Sequence, residues 1–459
     1  MAAVAPPPRK VYDAIVVGAG CAGLSAAVRM AMGGAKVLVL EAKARLGGRA
    51  TAFPDRETGE DVDNGQHVLL GCYTATFAFL REIDAVDHVR MQPQLAVTMI
   101  DRAGRRTELA CPALPPPLHL LAGLLEWDAL DWRDKLAALG MAAPLSTARR
   151  QLKGGTVIAA SPGETVDAWL VRNGQTKRLR EMLWHPLALA ALNQPAEVAA
   201  APPFARVLAE MFGSDARAAA IGLPAKPLHQ MYAEPARRFI ESHGGAVLAG
   251  ITARIVVERD EVVAVDGGGQ RWTAGAVVAA VPWFALRELF DVPPPALETI
   301  MSRAARMASS PIVTVNLWFD RQVIDRPFLG LPGRAMQWVF DKRSMHGDGA
   351  SHLSLVSSGA SPLVGMANGS LVATAHQELL EALPEMRAAR LQRATVIREP
   401  HATFSLAPGQ PARPSTTTPV RRLFLAGDWI DTGLPATIES AVRAGHLAAE
   451  AVKSGHLVI

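Results

Sequence analysis

The chain has 459 residues, 49% hydrophobic and 20% charged, which is typical of a globular protein with two or three domains. Its 47 basic and 43 acidic residues leave a formal net charge of +4 without long runs of like charge, which argues against nucleic acid as a partner. The three cysteines (Cys21, Cys72, Cys111) form no C-x-x-C pair, which excludes a disulfide scaffold or zinc ribbon, and we predict no metal site.

The same composition bears on location. No apolar stretch reaches the roughly 18 residues that cross a bilayer. The segment before the first predicted strand lacks the charged start and apolar core of a signal peptide. We therefore expect a cytoplasmic protein, or one bound peripherally at the inner membrane surface.

The first motif is a glycine-rich turn between a predicted strand at residues 11–17 and a predicted helix. Its G-x-G-x-x-G pattern places Gly18 at a tight turn, Gly20 where a pyrophosphate approaches the backbone, and Gly23 where helix and strand pack closely. The amides at the helix start favour phosphate. Because the second strand ends at the acidic residue Glu41, which suits a ribose hydroxyl, the whole unit predicts dinucleotide binding.

The loop that follows narrows the choice of cofactor. Residues 44–49 read ARLGGR, and a long Gly-Gly-Arg loop here resembles the flavoproteins of the amine oxidase and phytoene desaturase superfamily. The resemblance implies FAD as the cofactor, with Arg45, Gly48 and Arg49 lining the pyrophosphate and the flavin. An arginine suits this place because its guanidinium binds two phosphate oxygens at once.

A second unit lies near the C-terminus. Residues 422–426 predict a buried strand, Gly427 and Asp428 follow it, and residues 436–452 predict a long helix. The superfamily resemblance implies that this unit closes the flavin site, with Asp428 on a ribityl hydroxyl and the helix start near Thr437 at the pyrimidine edge. A helix N-terminus favours negative charge and would stabilise an anionic reduced flavin.

A third segment completes the predicted cofactor domain. Residues 244–247 (GGAV) precede an alternating strand pattern at 251–257, and in the superfamily such a segment lends backbone contacts to the adenine, which we assign to Val247. We predict an α/β fold with a Rossmann-like FAD-binding domain assembled from three discontinuous segments and an α+β substrate-binding domain. The first domain takes residues 1–75, 226–300 and 416–459, and the second takes residues 76–225 and 301–415.

The most distinctive polar run, DVDNGQH at residues 61–67, points to the substrate. With GCY at 71–73, LP at 223–224 and YAEP at 232–235, it resembles the squalene-associated FAD-dependent desaturase family, whose members act as hydroxysqualene dehydroxylases. The resemblance implies an apolar C30 isoprenoid substrate, hydroxysqualene, which is reduced to squalene by hydride from reduced FAD.

Three residues of the polar run are candidates for roles at the reacting centre. Gly65 would let the backbone approach the flavin ring. Loss of hydroxide needs a proton donor, and Asp63 and His67 are the candidates by position. The alternative is that both side chains only fix the loop and help to bind the cofactor.

Other functions remain open at this point. The same flavin could serve an oxidative desaturase of the carotenoid type or a flavin amine oxidase, although neither an aromatic cage nor a lysine relay is identifiable in the sequence. A flavin-binding redox sensor or chaperone is the non-enzymatic alternative. The sequence leaves the oligomeric state unknown.

An apolar stretch at residues 114–125 (LPPPLHLLAGLL) precedes Trp127 and Trp132. It fits either a core helix of the substrate domain or a patch that dips into a bilayer. Peripheral contact with a membrane is therefore one of two alternatives for this stretch.

Overall fold

Two seven-stranded sheets organise the computed structural model, which describes residues 10–152, 154, 159–213, 215–346 and 351–455. The predictions for residues 1–9 and 456–459, including the segment before the first strand, fall outside these ranges. The strands are β1 (Lys10–Val17), β2 (Val37–Glu41), β3 (Ala52–Pro54), β4 (Asp61–Asp63), β5 (Leu69–Leu70), β6 (Val89–Met91), β7 (Ala96–Ile100), β8 (Arg106–Ala110), β9 (Ile221–Pro224), β10 (Ala246–Ala249), β11 (Ala253–Glu258), β12 (Glu261–Gly267), β13 (Gln270–Ala279), β14 (Ser309–Phe319), β15 (Phe328–Gly330), β16 (Trp338–Asp341), β17 (Ser351–Ser357), β18 (Leu391–Phe404) and β19 (Leu423–Leu425).

Helices connect and cover these strands. The α-helices are α1 (Cys21–Met32), α2 (Thr74–Glu82), α3 (Leu118–Glu126), α4 (Trp132–Ala138), α5 (Ala142–Leu152), α6 (Val166–Arg172), α7 (Lys177–Leu179), α8 (His185–Leu192), α9 (Ala201–Met211), α10 (Glu234–Ser242), α11 (Glu298–Arg306), α12 (Lys342–His346), α13 (Asn368–Ala382) and α14 (Ile438–Gly455). Shorter 3₁₀ and π turns lie at Val86–His88, Leu139–Met141, Arg180–Trp184, His229–Ala233, Trp283–Leu289, Pro295–Leu297 and Pro384–Ala388.

The first sheet has the order β10-β2-β1-β13-β12-β11, with β19 beside β13. The strands β10, β2, β1, β13 and β19 run parallel. Parallel strands are covered on both faces, which explains why β2 is apolar and buried along its whole length. Because the strands come from three separate parts of the chain, the predicted Rossmann-like assembly is confirmed, while its exact boundaries stay a prediction.

Helices α1 and α14 pack against each other beside this sheet. A Cβ at Gly445 of α14 would lie 2.2 Å from Ser25 Oγ and 2.3 Å from the Ala22 carbonyl oxygen of α1. The missing side chain therefore lets the two helix backbones approach, and the first and last segments of the chain meet at one place.

The second sheet has the order β18-β14-β17-β16-β15-β7-β8 and is antiparallel except where β15 meets β7. A helical layer that includes α6 and α9 shares an apolar core with part of this sheet. The largest buried rings of this core are Trp127, Trp169, Trp184 and Phe204. Helix α13 packs into a separate apolar core with β14 and β17. This sheet and its helices have the α+β architecture that the sequence predicts for the second domain, whose substrate-binding role stays a prediction.

Candidate functional site

The glycine turn after β1 shapes an open cradle. A Cβ at Gly18, whose φ is 109°, would lie 2.5 Å from the Ala280 carbonyl oxygen, and a Cβ at Gly23 would lie 1.9 Å from the Gly18 carbonyl oxygen. In contrast, a Cβ at Gly20 would have one described heavy atom within 4 Å, the Cα of Gly48 at 3.9 Å. Two backbones without side chains thus face each other across a gap that a Cβ would enter.

The start of α1 opens onto this cradle. Its N-cap is Gly20, and among the described residues no side chain caps the helix or places an acid in its first turn. The first-turn amides therefore remain available as donors, and the positive end of the helix dipole favours an anion. The cradle and the amides fit the pyrophosphate of a dinucleotide. The residues present at this place are therefore compatible with FAD.

Glu41 lies at the carboxyl end of β2 and is buried. Its Oε2 accepts a hydrogen bond from the Ala19 amide at 2.8 Å, and its Oε1 accepts one from the Lys43 amide at 2.9 Å. These bonds hold the carboxylate beside the glycine turn, where the sequence predicts the ribose. The neighbouring strand β10 places Ala249 opposite Glu41 and buries Val247 two residues earlier. The contact between Val247 and the adenine stays a prediction.

The Gly-Gly-Arg loop after Glu41 is held by a residue that lies far away in the sequence. Arg45 is exposed, and its guanidinium lies 4.8 Å from the centre of the Phe53 ring. The Tyr232 hydroxyl lies 2.8 and 2.9 Å from the carbonyl oxygens of Gly47 and Ala50. The sequence signalled Tyr232 only as part of the YAEP motif, and the structure shows that its buried hydroxyl ties down the Gly-Gly-Arg loop.

Arg49 joins the two distant cofactor motifs. Its Nη2 lies 2.6 Å from Asp428 Oδ1, and its Nη1 donates to the Ala402 carbonyl oxygen at 2.9 Å. The guanidinium also lies 5.5 Å from the centre of the Trp283 ring. Asp428 is buried, and it follows Gly427, whose φ of 152° suits glycine. Arg49, assigned to the pyrophosphate and the flavin, and Asp428, assigned to the ribityl chain, therefore form an ion pair.

The start of α14 is anchored by polar side chains. Thr437 Oγ1 accepts a hydrogen bond from the Ser440 amide at 3.1 Å and so caps the helix. Glu439 is buried and accepts bonds from the Thr76 amide at 2.8 Å, the Thr76 hydroxyl at 2.7 Å and Arg443 Nε at 2.7 Å. Sequence reasoning missed Glu439, although an acid in the first turn of a predicted helix was the available signal.

Asp63 is held in a buried ion pair. Its Oδ2 lies 2.5 Å from Lys342 Nζ, with the two side chains 4% and 2% exposed, and its Oδ1 accepts from the Leu228 amide at 3.1 Å. Lys342 also donates to Gln66 Oε1 at 2.8 Å. Burial by itself raises the pKa of Asp63, but the charge and hydrogen bond of Lys342 outweigh it and lower the pKa below its ordinary value. Asp63 is therefore ionised. A lone lysine at a strand end gave no sequence signal for Lys342.

His67 is half-buried four residues further on, and its Nδ1 lies 2.9 Å from the Gly65 carbonyl oxygen. A carbonyl oxygen only accepts, so Nδ1 carries the proton and Nε2 presents a lone pair. Burial lowers the pKa of His67, which keeps the ring neutral at physiological pH. Gly65 has a φ of 113°, and within 4 Å of a Cβ there the described chain offers only Thr314 Oγ1, at 3.9 Å.

The chain is similar to a known protein family and to individual enzymes. The model of the flavin-containing amine oxidoreductase family matches residues 21–453. The chain is similar to a hydroxysqualene dehydroxylase of Rhodopseudomonas palustris, with 30% identity over 95% of the chain and 97% of the relative. A hydroxysqualene dehydroxylase of Zymomonas mobilis is 26% identical over the same shares. A 15-cis-phytoene desaturase of an Oncidium hybrid is 27% identical over 97% of the chain and 78% of the relative.

Solved structures share the fold at lower identity. An oxidoreductase from Methanosarcina mazei superposes with a TM-score of 0.72 and 17% identity, covering 96% of this chain and 99% of the other. A putrescine oxidase variant gives a TM-score of 0.70 and 18% identity, covering 97% and 100%. These similarities confirm the predicted fold class over nearly the whole chain.

Proposed function

Because the chain belongs to the flavin-containing amine oxidoreductase family, and is thus an enzyme with FAD as its cofactor, we propose that it reductively dehydroxylates hydroxysqualene to squalene. The observation that carries this choice is the match to two hydroxysqualene dehydroxylases along 97% of their length. Phytoene desaturases are matched at lower identity than the 30% of the Rhodopseudomonas palustris enzyme, one at 27% along 78% of its length and another at 25% along 95% of its length.

Different residues would bind different parts of the cofactor. Gly20, Gly48 and the first-turn amides of α1 would hold the pyrophosphate, and Glu41 would hold the adenosine ribose. Asp428, steadied by Arg49, would bind the ribityl chain. When bound in its reduced form, FAD supplies the hydride.

The polar loop positions the reacting end of the substrate. Lys342 holds Asp63 and Gln66 in place, which fixes the backbone at Gly65. Since Asp63 is ionised and the His67 proton is used by the Gly65 carbonyl, these two side chains serve best as positioning groups. His67 Nε2 would accept a hydrogen bond rather than donate one.

An oxidative desaturase is the second candidate, because a phytoene desaturase is among the relatives. The amine oxidase alternative has weaker support, since the solved amine oxidases resemble this chain at under 25% identity and share only the fold. A buried lysine does lie at the site, but Asp63 and Gln66 occupy the Lys342 Nζ. Family membership sets aside the non-enzymatic sensor or chaperone.

Helices α3 and α4 support the membrane alternative for the apolar stretch. A globular protein normally buries the apolar side of a surface helix, yet here His119, Gly123 and Asp134 are buried. Leu125 and Trp132 are 64% and 66% exposed. The exposed apolar side chains, named here the leucine–tryptophan face, are Leu118, Leu121, Leu125, Trp132, Leu136 and Leu139.

The leucine–tryptophan face would let the enzyme rest on a bilayer, where a C30 isoprenoid is dissolved. Trp127, in contrast, is 1% exposed and belongs to the core, so the two tryptophans of the predicted patch have different roles. Among the described residues, no helix is both long enough and apolar enough to cross a membrane.

Anaerobic single turnover tests the proposed reaction. The holoenzyme is reduced, mixed with hydroxysqualene in detergent, and followed by flavin absorbance and product extraction. We expect reoxidation of the flavin with formation of squalene, while mixing with squalene leaves the flavin reduced. Absence of reoxidation by the alcohol, together with bleaching of the oxidised enzyme by phytoene, would establish the desaturase instead.

A further inference from the structure

Strand β14 presents three side chains with hydrogen-bonding groups on one of its faces. Residues alternate between the two faces of a strand. One face of β14, with Val313 and Val315, belongs to the apolar core that includes α13, and the other carries Thr314, Asn316 and Trp318. Thr314 is 1% exposed and is flanked by β17 on one side and by β18 on the other. Its side chain therefore has a fixed place in the middle of the sheet.

The segment from Glu60 to Gly65 crosses this face of β14. At one end, Trp318 Nε1 donates to Glu60 Oε2 at 2.6 Å. At the other end, a Cβ at Gly65 would have Thr314 Oγ1, at 3.9 Å, as the single described heavy atom within 4 Å. Because Gly65 has no side chain, the segment does not cover the Thr314 hydroxyl. A ligand that approaches the Gly65 backbone therefore also comes within reach of Thr314.

The hydroxyl of Thr314 has no hydrogen-bond partner in the described part of the chain. Its neighbours on the same face differ: Trp318 is bonded to Glu60, and Asn316 Oδ1 lies 2.9 Å from His352 Nε2, although Asn316 Nδ2 is unpaired among the described residues. Buried hydroxyls normally have a partner, because an unpaired one loses its hydration without compensation. The Thr314 hydroxyl is therefore suited to a polar ligand that binds beside Gly65.

The segment in front of Thr314 is tied to the cofactor site. Asn64 Nδ2 donates to the Arg49 carbonyl oxygen at 3.1 Å and to Glu399 Oε2 at 3.0 Å. The residue before Gly65 is thereby joined both to the Gly-Gly-Arg loop and to β18, the strand beside β14. Gly65 and Thr314 therefore lie where the cofactor segments meet the second sheet.

The other polar side chains of the run at residues 61–67 are already engaged. Lys342 Nζ is bonded to Asp63 and Gln66, and His67 Nδ1 lies 2.9 Å from the Gly65 carbonyl oxygen. His67 Nε2 remains as an acceptor. Thr314 thus supplies beside Gly65 a hydrogen-bond donor that these residues do not.

We propose that Thr314 Oγ1 hydrogen-bonds the polar edge of the flavin ring where the ring passes the Gly65 backbone. The inference rests on FAD as the cofactor and on the proposed placement of the flavin at Gly65, and it is independent of the substrate. A hydroxyl suits this place because it donates to a ring nitrogen or carbonyl oxygen and accepts from a ring N–H. Thr314 can therefore keep a hydrogen bond to the ring in both its oxidised and its reduced state.

The test compares Thr314→Val, which removes the hydroxyl at nearly constant volume, with Thr314→Ser, which keeps it. The apoprotein is titrated with FAD, and the change in flavin fluorescence gives the Kd. We expect Thr314→Val to raise this Kd about tenfold and to shift the absorbance bands of the bound oxidised flavin. Thr314→Ser should keep the wild-type spectrum and a Kd within about threefold of wild type. The matched control is Thr98→Val, at a buried threonine of β7 in the same sheet, which should bind FAD like wild type.

Equal Kd values and equal spectra of wild type and Thr314→Val would overturn the proposal. Equal losses in Thr314→Val and Thr314→Ser would overturn it as well, because the shape of the side chain rather than its hydroxyl would then matter. The melting temperature of each apoprotein shows whether the variant is folded. Should Thr314→Val fail to fold, Thr314→Ala removes the same hydroxyl with less bulk and is titrated in its place.

No substrate enters these measurements, so the two proposals fail separately. Failure of wild type to convert hydroxysqualene refutes the proposed function and leaves the flavin contact standing. Unaltered flavin binding in Thr314→Val refutes the role of Thr314 alone.

Discussion

Arg49 and Asp428 form an ion pair of 2.6 Å although they stand 379 positions apart in the chain. Each belongs to a motif that the sequence assigns to FAD, one in the loop after β2 and the other directly after β19. Their side chains are 24% and 9% exposed. The pair therefore links the first and last segments of the cofactor domain at the place where the flavin is expected.

Breaking this pair should release the cofactor. In Asp428→Asn the carboxylate charge is lost while the shape remains, and we expect FAD affinity to fall roughly ten- to a hundredfold, equivalent to about 1–3 kcal/mol. The matched control is Arg271→Met, which removes an exposed arginine paired with Asp266 in the same sheet. Flavin absorbance after dialysis measures retention, and full retention in Asp428→Asn would refute its assignment.

The glycines of the first turn should respond differently to alanine. Gly20→Ala should fold but lose FAD, because its Cβ enters the cradle facing Gly48 without striking described atoms within 3.4 Å. Gly23→Ala should lower the melting temperature of the apoprotein as well, since its Cβ would lie 1.9 Å from a carbonyl oxygen. Gly369→Ala, in open space on α13, serves as control. Equal FAD content in wild type and Gly20→Ala would contradict the proposed cradle.

The Asp63–Lys342 pair should make the stability of the folded protein depend on pH, and the direction of this dependence should reverse when Lys342 is replaced. The pKa of Asp63 is lowered in the folded state, so the pair stabilises the protein above the ordinary value of 3.8 and this contribution disappears as the pH falls through the folded pKa. Lys342→Met leaves a buried, unpaired carboxylate, at a cost of about 3–5 kcal/mol.

In that variant burial raises the Asp63 pKa, so its stability should decline between pH 5 and pH 8, as measured by urea unfolding. Adding Asp63→Asn to Lys342→Met should remove this decline. A Lys342→Met variant with flat stability over the same range would show that the pair is solvated rather than buried.

His352 should make the protein sensitive to acid. Burial and the positive charge of Lys342 lower its pKa from 6.5 to about 3, and its ring stacks on Trp318 at 4.2 Å. The unfolded chain therefore binds a proton first as the pH falls below 6.5, which costs about 2 kcal/mol of stability at pH 5. We expect His352→Gln to flatten the fall in melting temperature between pH 7 and pH 5. The exposed His243, changed to Gln, is the control and should leave that fall intact.

The leucine–tryptophan face should bind lipid. Replacing Leu125 and Trp132 by Glu should reduce co-sedimentation with phosphatidylcholine vesicles at least roughly tenfold, because each large apolar side chain that leaves water contributes about 1–3 kcal/mol. Val292→Glu changes an apolar residue that is 82% exposed elsewhere and should bind like wild type. Equal binding of all three proteins would show that the leucine–tryptophan face does not bind lipid.

The cofactor half of the site was largely predictable because its signals are local. Gly18 has a φ of 109°, a Cβ at Gly23 would lie 1.9 Å from the Gly18 carbonyl oxygen in the same turn, and Glu41 stands at the end of its own strand. The predicted helix at residues 436–452 appears as α14, shifted by two or three residues at each end. Such features depend on backbone conformation over a few positions, which the residue types reveal directly.

The sequence by itself thus determined the Rossmann-like fold and the FAD motifs, since short-range stereochemistry dictates where glycines and strand-end acids must stand. Only the tertiary structure decided the partners, such as Lys342 for Asp63 at a separation of 279 positions. Those partners set which groups hold a proton. Burial and Coulomb interactions depend on what surrounds a side chain in space, and nothing in the order of residues states that neighbourhood.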